Sequence, residues 1–252
     1  MALPAHLLEQ LPPQFRQGQS GALQEGHSGS QGSKALPLGI AELDALLPGG
    51  GLPRGGVVEL SVSGGAALAT SVVLAACRAA TEEATLAGAE APWCAFVDPS
   101  MTLHGPGVAS ASVDLEHLLV VRPSIDALGR TAIRLVESQA FSVVVVDTVG
   151  VPGAALNVAL TAWPRIVRRL AMASEESSST VLLITDAEAR RPLPLPVALR
   201  LELQRPDAAR LSVRISKERR GRISQPRTIV WAKPRAKVLP ARQLFPVAPA
   251  SP

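Results

Sequence analysis

Apolar runs alternate with stretches of helical periodicity through the middle of the chain. Residues 142–146 are a valine-rich run closed by Asp147, a pattern typical of a central parallel strand buried on both faces. Other short apolar runs predict strands at 57–61, 95–97, 118–122 and 181–185. Helices are expected between the strands at 66–81, 126–139 and 155–173. Pro164 either kinks the third helix or begins a second one.

The pattern changes near residue 199. Leu199, Leu201 and Leu203 alternate with polar residues, and the same alternation returns over 210–215 after a turn. Such alternation indicates antiparallel strands with one face in solvent, and a further short strand is expected at 228–231. The fold class is therefore predicted to be α/β, with a doubly wound, mostly parallel core and a C-terminal antiparallel extension.

The two ends of the chain differ from this core in composition. Residues 16–35 are rich in Gly, Ser and Gln and lack periodicity, which is typical of a flexible linker. From residue 232 onward, proline recurs too often for a packed element. We therefore predict a flexible N-terminal segment at 1–35, a core domain at 36–231 and a Pro-rich tail at 232–252.

Composition and charge refine this picture. Hydrophobic residues make up 47% of the chain but aromatic residues only 3%, so the core is expected to be aliphatic. Residues 200–242 contain 13 basic and three acidic residues, a net charge of +10, whereas the other residues, 12 basic and 18 acidic, sum to −6. This asymmetry indicates a polyanionic or acidic partner, and a solvated basic face is the alternative.

Cysteine, histidine and hydropathy exclude several classes of protein. Cys77 and Cys94 lack CxxC spacing and lie among apolar residues, so we interpret them as reduced core thiols of a cytoplasmic protein. The histidines have no ligand spacing, so no metal site is predicted. No signal peptide is apparent. The uncharged stretch 60–77 is broken by Ser and Gly, so a buried strand, a turn and a helix are expected there rather than a membrane span.

A strand, a glycine turn and a helix over 57–81 form the layout of a phosphate-binding loop. Such a loop ends in Gly-Lys-Ser/Thr, but here Gly64 and Gly65 are followed by Ala-Ala-Leu-Ala, and no lysine lies between Lys34 and Lys217. The glycines either bind a lone anion weakly or form a tight turn kept for packing.

From Leu38 to Gly65, the chain resembles the beginning of the ATPase core of RecA recombinases, including their Gly-Gly-Leu-Pro-x-Gly-x-x-Val-Glu segment at 50–59. Four further segments are similar and follow in the same order: CAFVDPS at 94–100, SVVVVDT at 142–148, VLLITD at 181–186 and VRISKERR at 213–220. The resemblance covers roughly residues 36–231.

The resemblance implies that most of the chemical residues of the ATPase are replaced. The phosphate-loop lysine corresponds to Leu68 and the Mg²⁺-binding threonine to Ala69. The glutamate that polarises water corresponds to Ser100, and the glutamine that senses the γ-phosphate corresponds to Asp186. Only the Walker-B-type acid remains, as Asp147. We therefore expect no catalytic residue, no metal, no cofactor and no enzymatic activity.

The resemblance also bears on nucleic acid. The DNA-binding loops of the family correspond to 150–157 and 188–196, where only Arg190 and Arg191 give the second loop positive charge. Lys217 and Arg219 match a basic pair that RecA proteins extend towards the nucleotide of a neighbour. We name the following residues the basic cluster: Arg214, Lys217, Arg219, Arg220 and Arg222. It contacts nucleic-acid phosphates, or a partner protein, or only solvent. Any DNA binding is expected to be non-specific and salt-dependent.

A RecA-like core with such replacements is similar to the ImuA family, sometimes described as SulA-like. That resemblance implies an accessory protein of damage-induced mutagenesis in the SOS response. Its partners would be RecA, the Y-family-polymerase-like ImuB and an error-prone polymerase subunit. The protein is expected to be a monomer that does not bind membranes. The alternatives are a divergent RecA-superfamily ATPase that uses Asp147 and an unrecognised basic residue, and a SulA-like inhibitor of cell division.

Overall fold

The computed structural model describes residues 35–63, 67–151, 154–187, 195–207 and 209–231. The strands are β1 (Ala35–Leu36), β2 (Leu52–Pro53), β3 (Gly56–Val62), β4 (Trp93–Val97), β5 (Leu118–Val121), β6 (Phe141–Asp147), β7 (Gly150–Val151), β8 (Ala154–Ala155), β9 (Thr180–Asp186), β10 (Leu199–Asp207), β11 (Arg210–Glu218) and β12 (Arg227–Val230). The α-helices are α1 (Ala41–Asp44), α2 (Ala67–Leu86), α3 (Gly105–Ser110), α4 (Leu128–Glu137) and α5 (Trp163–Ser177). Short 3₁₀ helices lie at Pro48–Gly50, Leu115–His117, Ile125–Ala127 and Leu160–Ala162.

An eight-stranded sheet forms the centre of the fold, in the order β12-β11-β10-β3-β9-β6-β4-β5. The six strands from β10 to β5 are parallel to one another, which confirms the mostly parallel α/β class. β11 is antiparallel to β10, and β12 is antiparallel to β11. The antiparallel extension therefore begins at β11, because β10 itself runs parallel to β3.

The sheet buries its two faces against different helices. On one face, Val58, Leu60 and Val62 of β3 lie beside Leu199, Leu201 and Leu203 of β10. These side chains join the apolar residues of α2 in one core cluster. The other face contacts α4 and α5. Helices on both faces leave the central valines of β6 fully buried, as the valine run predicts.

Two helix predictions need correction at their ends. The helix predicted to end at residue 81 continues to Leu86. The helix predicted over 155–173 is wrong in its first residues, because α5 begins only at Trp163 and Pro164 lies in its first turn. Proline suits that position, since its missing N–H has no partner in the first turn of a helix.

Gly51 shows why the Gly-Gly-Leu-Pro segment needs glycine. The chain passes so close to β1 here that a Cβ atom on Gly51 would lie 2.4 Å from the carbonyl oxygen of Leu36. Leu36 and Leu52 pair in the β1–β2 ladder, so neither backbone can retreat without breaking the pairing.

Both cysteines are buried between α2 and β4, and neither forms a disulfide. The Cys94 thiol lies 3.9 Å from the carbonyl oxygen of Cys77. The hydrogen bond with Cys94 and burial together raise the pKa of the Cys77 thiol.

Across the described ranges, no helix combines the length and apolar character needed to cross a bilayer.

Candidate functional site

The carboxyl ends of β4, β6 and β9 bring acidic residues to one edge of the sheet. Asp98 follows β4, and Asp147 and Asp186 end β6 and β9. The carboxyl ends of parallel strands lie on the same side of the sheet, and ligands bind at these ends in open α/β sheets. Asp98 and Asp147 are only 1% and 4% exposed, whereas Asp186 is exposed to solvent.

The carboxylate of Asp98 organises the turn that follows β4. Its Oδ1 accepts hydrogen bonds from the Ser100 hydroxyl at 2.9 Å and the Thr102 backbone N–H at 3.1 Å. Its Oδ2 accepts one from the Leu103 N–H at 2.9 Å, and Arg122 Nε lies 3.7 Å away. Ser100 is therefore turned inward, towards Asp98 and the Thr102 hydroxyl, which is 2.7 Å distant.

Asp147 is held by the backbone of its own loop. Its Oδ1 accepts hydrogen bonds from the N–H groups of Val149 at 2.8 Å and Gly150 at 3.0 Å. Burial raises the pKa of this carboxyl, the two backbone bonds oppose that shift, and the nearby charge of Asp98 adds to it. Among the residues that the structure describes, no lysine or arginine forms an ion pair with Asp147.

A cavity of about 350 Å³ lies between these acids, the beginning of α2 and α3. Asp98 and Asp147 contribute to its wall together with hydroxyl groups, including those of Thr70, Ser71 and Thr102. The described part of its lining contains no lysine or arginine. Two carboxylates without a lysine or arginine in the described lining disfavour a polyphosphate in this space, because like charges repel.

The loop beside this cavity has the expected strand–turn–helix layout, since β3 ends at Val62 and α2 begins at Ala67. Gly64 and Gly65 lie outside the described residues, as does the side chain of Leu68. Ala69 is fully buried in the core cluster.

Within the described ranges, no group of three or more His, Cys, Asp or Glu side chains is placed to hold a metal ion.

Much of the basic cluster makes contacts within the chain. Lys217 Nζ donates to the carbonyl oxygen of Leu195 at 2.7 Å. A guanidinium nitrogen of Arg219 donates to Glu175 of α5 at 3.0 Å, and one of Arg214 donates to Glu202 at 3.2 Å. Arg190 and Arg191 lie outside the described residues.

A β-bulge sets the direction of Lys217. The ladder pairs Leu201 with Ile215 but Arg200 with Lys217, so Ser216 is an extra residue in β11. Paired residues share a face of the sheet, so Lys217 lies on the face of Arg200. Simple alternation from Ile215 would have placed it on the apolar face instead.

Arg220 and Arg222 remain exposed at the tip of the turn after β11. The backbone N–H of Gly221 donates to the carbonyl oxygen of Glu218 at 2.9 Å, and Gly221 has a φ of 80°. Of the residues that can be described, none forms an ion pair with Arg220 or Arg222.

The chain matches a known protein family over more than half of its length. The family model of the RecA N-terminal domain matches residues 5–162, more than half of the chain. The chain belongs to the RecA N-terminal domain family. Two similar curated proteins are the RecA proteins of Pseudomonas fluorescens strains Pf0-1 and Pf-5, each 34% identical over 150 residues, 58% of this chain. The chain spans only 39% of the length of either relative.

A solved structure confirms the RecA-like fold. The crystal structure of the RadB recombinase superposes with a TM-score of 0.59 over 80% of this chain and 97% of the RadB chain. The identity is 18%, so this similarity concerns the architecture alone.

One interaction in this RecA-family chain was not predicted from its sequence. Glu59 of β3, 5% exposed, accepts hydrogen bonds from Arg200 Nε at 2.6 Å and from the Thr185 hydroxyl at 2.9 Å. The three residues link β10, β3 and β9. The available signal was Glu59 itself, a single acid inside an otherwise uncharged strand.

Proposed function

We propose that this protein is a non-enzymatic accessory protein of damage-induced mutagenesis, similar to the ImuA family, with a RecA-like core that does not turn over ATP. It acts by binding RecA, the error-prone polymerase machinery, or both. The observation that supports this most directly is the acidic cavity beside the loop, where Asp98 and Asp147 lie beside hydroxyl groups and the described lining contains no lysine or arginine.

The replaced residues support the loss of ATPase activity. A charge-assisted contact contributes about 1.5–3 kcal/mol, so leucine in place of the phosphate-loop lysine weakens nucleotide binding roughly 10- to 150-fold. A buried methyl group at Ala69 cannot ligate Mg²⁺. Positioning and charge stabilisation dominate phosphoryl transfer, so these losses also remove the main sources of catalysis.

A divergent ATPase is the second candidate function, because Asp147 is retained at the end of β6. One oxygen of its carboxylate accepts hydrogen bonds from two backbone N–H groups. These bonds hold the carboxylate in the wall of the cavity. This candidate requires a cation from elsewhere in the chain.

ATP turnover separates the two candidates. The full chain is assayed with Mg·ATP, with and without single-stranded DNA, beside an Asp147→Ala variant purified identically and a RecA positive control. The proposal predicts equal background rates for both forms. Turnover that Asp147→Ala abolishes would establish the divergent ATPase.

Partner binding tests the positive half of the proposal. Purified RecA, the Y-family-like subunit and the error-prone polymerase subunit are each immobilised and exposed to the full chain. We expect saturable binding to at least one of them. If RecA is that partner, excess protein changes its ATP hydrolysis or strand exchange. Absence of binding to all three would contradict the accessory role.

A further inference from the structure

The turn between β11 and β12 presents an isoleucine among cations. Ile223 is 74% exposed, and Arg222 next to it and Arg220 shortly before it are also exposed. Arg227, at the beginning of β12, adds a further exposed guanidinium group. This turn, residues 219–226, is called the basic turn below.

Hydrogen bonds to the body of the protein hold the basic turn at both ends. The N–H of Arg219 donates to the carbonyl oxygen of Ala198 at 3.0 Å, and that of Arg222 donates to Oε2 of Glu218 at 3.2 Å. Ser224 exchanges two hydrogen bonds of 2.9 Å with the backbone of Ile215. The exposed side chains therefore project from an ordered support, which lowers the entropy lost on binding.

The charges of the basic cluster divide into two groups. In the first group, Lys217 and Arg219 are bonded to Leu195 and Glu175 of the same chain. Arg214 also belongs to this group, because it is bonded to Glu202. Arg220 and Arg222 form no ion pair with any residue in the described ranges. The positive charge offered to a partner is thus concentrated in the residues just before Ile223.

The isoleucine discriminates between classes of partner. Phosphate binding needs cations only, and an aliphatic side chain beside them gains nothing from a phosphate backbone. A protein interface instead combines an apolar anchor with surrounding charges, and arginine is enriched at such anchors.

We propose that the basic turn is a protein-docking surface, in which Ile223 enters an apolar pocket of the partner while Arg220 and Arg222 pair with carboxylates around that pocket. This inference rests on the proposed partner-binding function and adds the surface and its chemistry. The partner is a protein with an acidic rim rather than a nucleic acid.

The test measures affinity of the full chain for the three immobilised proteins named above and, separately, for single-stranded and duplex DNA. Ile223→Ser removes the anchor and keeps the charge, while the Arg220→Gln/Arg222→Gln double variant keeps the anchor. Leu86→Ser, at a side chain that is 89% exposed on α2, and Arg130→Gln, at an exposed position on α4, are the matched controls. Thermal unfolding verifies that all variants fold.

We expect Ile223→Ser and the double arginine variant each to weaken protein binding roughly tenfold or more, with the controls unchanged. Gly221→Ala provides a second route, because its φ of 80° disfavours alanine and the substitution redirects the turn without changing its charge. It should weaken binding as well.

Three results would overturn the inference. If Ile223→Ser leaves protein binding unchanged, the basic turn is not the docking surface, but the proposed accessory function still stands. Loss of DNA binding alone in the arginine variant identifies the turn as a nucleic-acid contact. No binding of the unmodified chain to any of the three proteins rejects the accessory function together with the docking surface.

Discussion

The ammonium group of Lys217 donates a hydrogen bond to the backbone carbonyl oxygen of Leu195 across 2.7 Å. Lys217 belongs to β11, and Leu195 lies before β10, so this bond ties the start of one strand of the hairpin to the end of the other. Leu195 is 1% exposed, which places its backbone next to the core. The charge of Lys217 therefore contributes first to the fold of its own chain.

Lys217→Met tests this role, because methionine keeps much of the aliphatic stem but cannot donate. We expect the free energy of unfolding, measured by urea denaturation, to fall by about 1–2 kcal/mol. Arg220→Met is the control at an exposed position and should change stability by less than about 0.5 kcal/mol. Equal effects of the two substitutions would show that the Leu195 contact does not stabilise the fold.

The Glu59–Arg200 ion pair provides a second prediction. Its side chains are only 6% and 15% exposed, so Arg200→Met leaves a buried carboxylate with only the Thr185 hydroxyl. We expect a loss of about 3–5 kcal/mol in the free energy of unfolding. Adding Glu59→Leu to Arg200→Met should recover part of this loss, because the unpaired charge is then removed.

The matched control is the Arg214–Glu202 pair on the neighbouring strands, where both side chains are more than a third exposed. Arg214→Met should cost less than about 1 kcal/mol, because water screens that pair. The burial argument is refuted if the Arg200 and Arg214 substitutions are equally destabilising.

The buried carboxyl group of Asp147 should make the stability of the protein depend on pH. Burial raises the pKa of its carboxyl in the folded state above the unfolded value. Its contribution to stability is therefore fully present below the unfolded-state pKa and is lost as pH rises through the folded-state pKa. Asp147→Asn keeps an acceptor for Val149 and Gly150 but cannot ionise.

We expect Asp147→Asn to be more stable than the unmodified protein at about pH 8, with the difference shrinking towards about pH 4, near the ordinary pKa of an aspartate. Thermal unfolding across that range measures the effect. A difference that is constant with pH, or that grows as pH falls, would contradict it.

Gly51 provides a steric prediction. A Cβ atom there would lie 2.4 Å from a backbone oxygen of Leu36, so Gly51→Ala must displace β1 or β2. We expect a loss of about 1–3 kcal/mol in the free energy of unfolding. Gly105→Ala is the control, since an added Cβ meets no atom within 4 Å, and should change stability by less than about 1 kcal/mol. Equal stabilities of the two variants would refute the steric argument.

The parallel core was predictable because its signal is local. A run of valines ending in Asp147 favours a strand covered on both faces, because β-branched residues suit strands, and β6 is such a strand. Pro164 gave an ambiguous signal, because proline both kinks and begins helices. In the structure Pro164 lies in the first turn of α5, and that helix packs on β3, a strand distant in sequence.

The candidate site was less predictable. Sequence alone places an acid after each of three strands, but whether a carboxylate is available depends on what surrounds it. Asp98 is occupied by the turn that follows it, whereas Asp147 is held through one oxygen. These partners depend on how the turns fold back.

Residue type and spacing alone predict the succession of strands along the chain, the aliphatic core and the lack of a lysine near Gly65. The directions of the basic side chains depend instead on how the chain folds. The bulge at Ser216 moves Lys217 to the face of Arg200, and Glu175 of α5 lies within reach of Arg219. Arg220, Arg222 and Ile223 face solvent instead. Side-chain contacts between distant segments depend on register and packing, and one extra residue in a strand reverses the faces that alternation predicts.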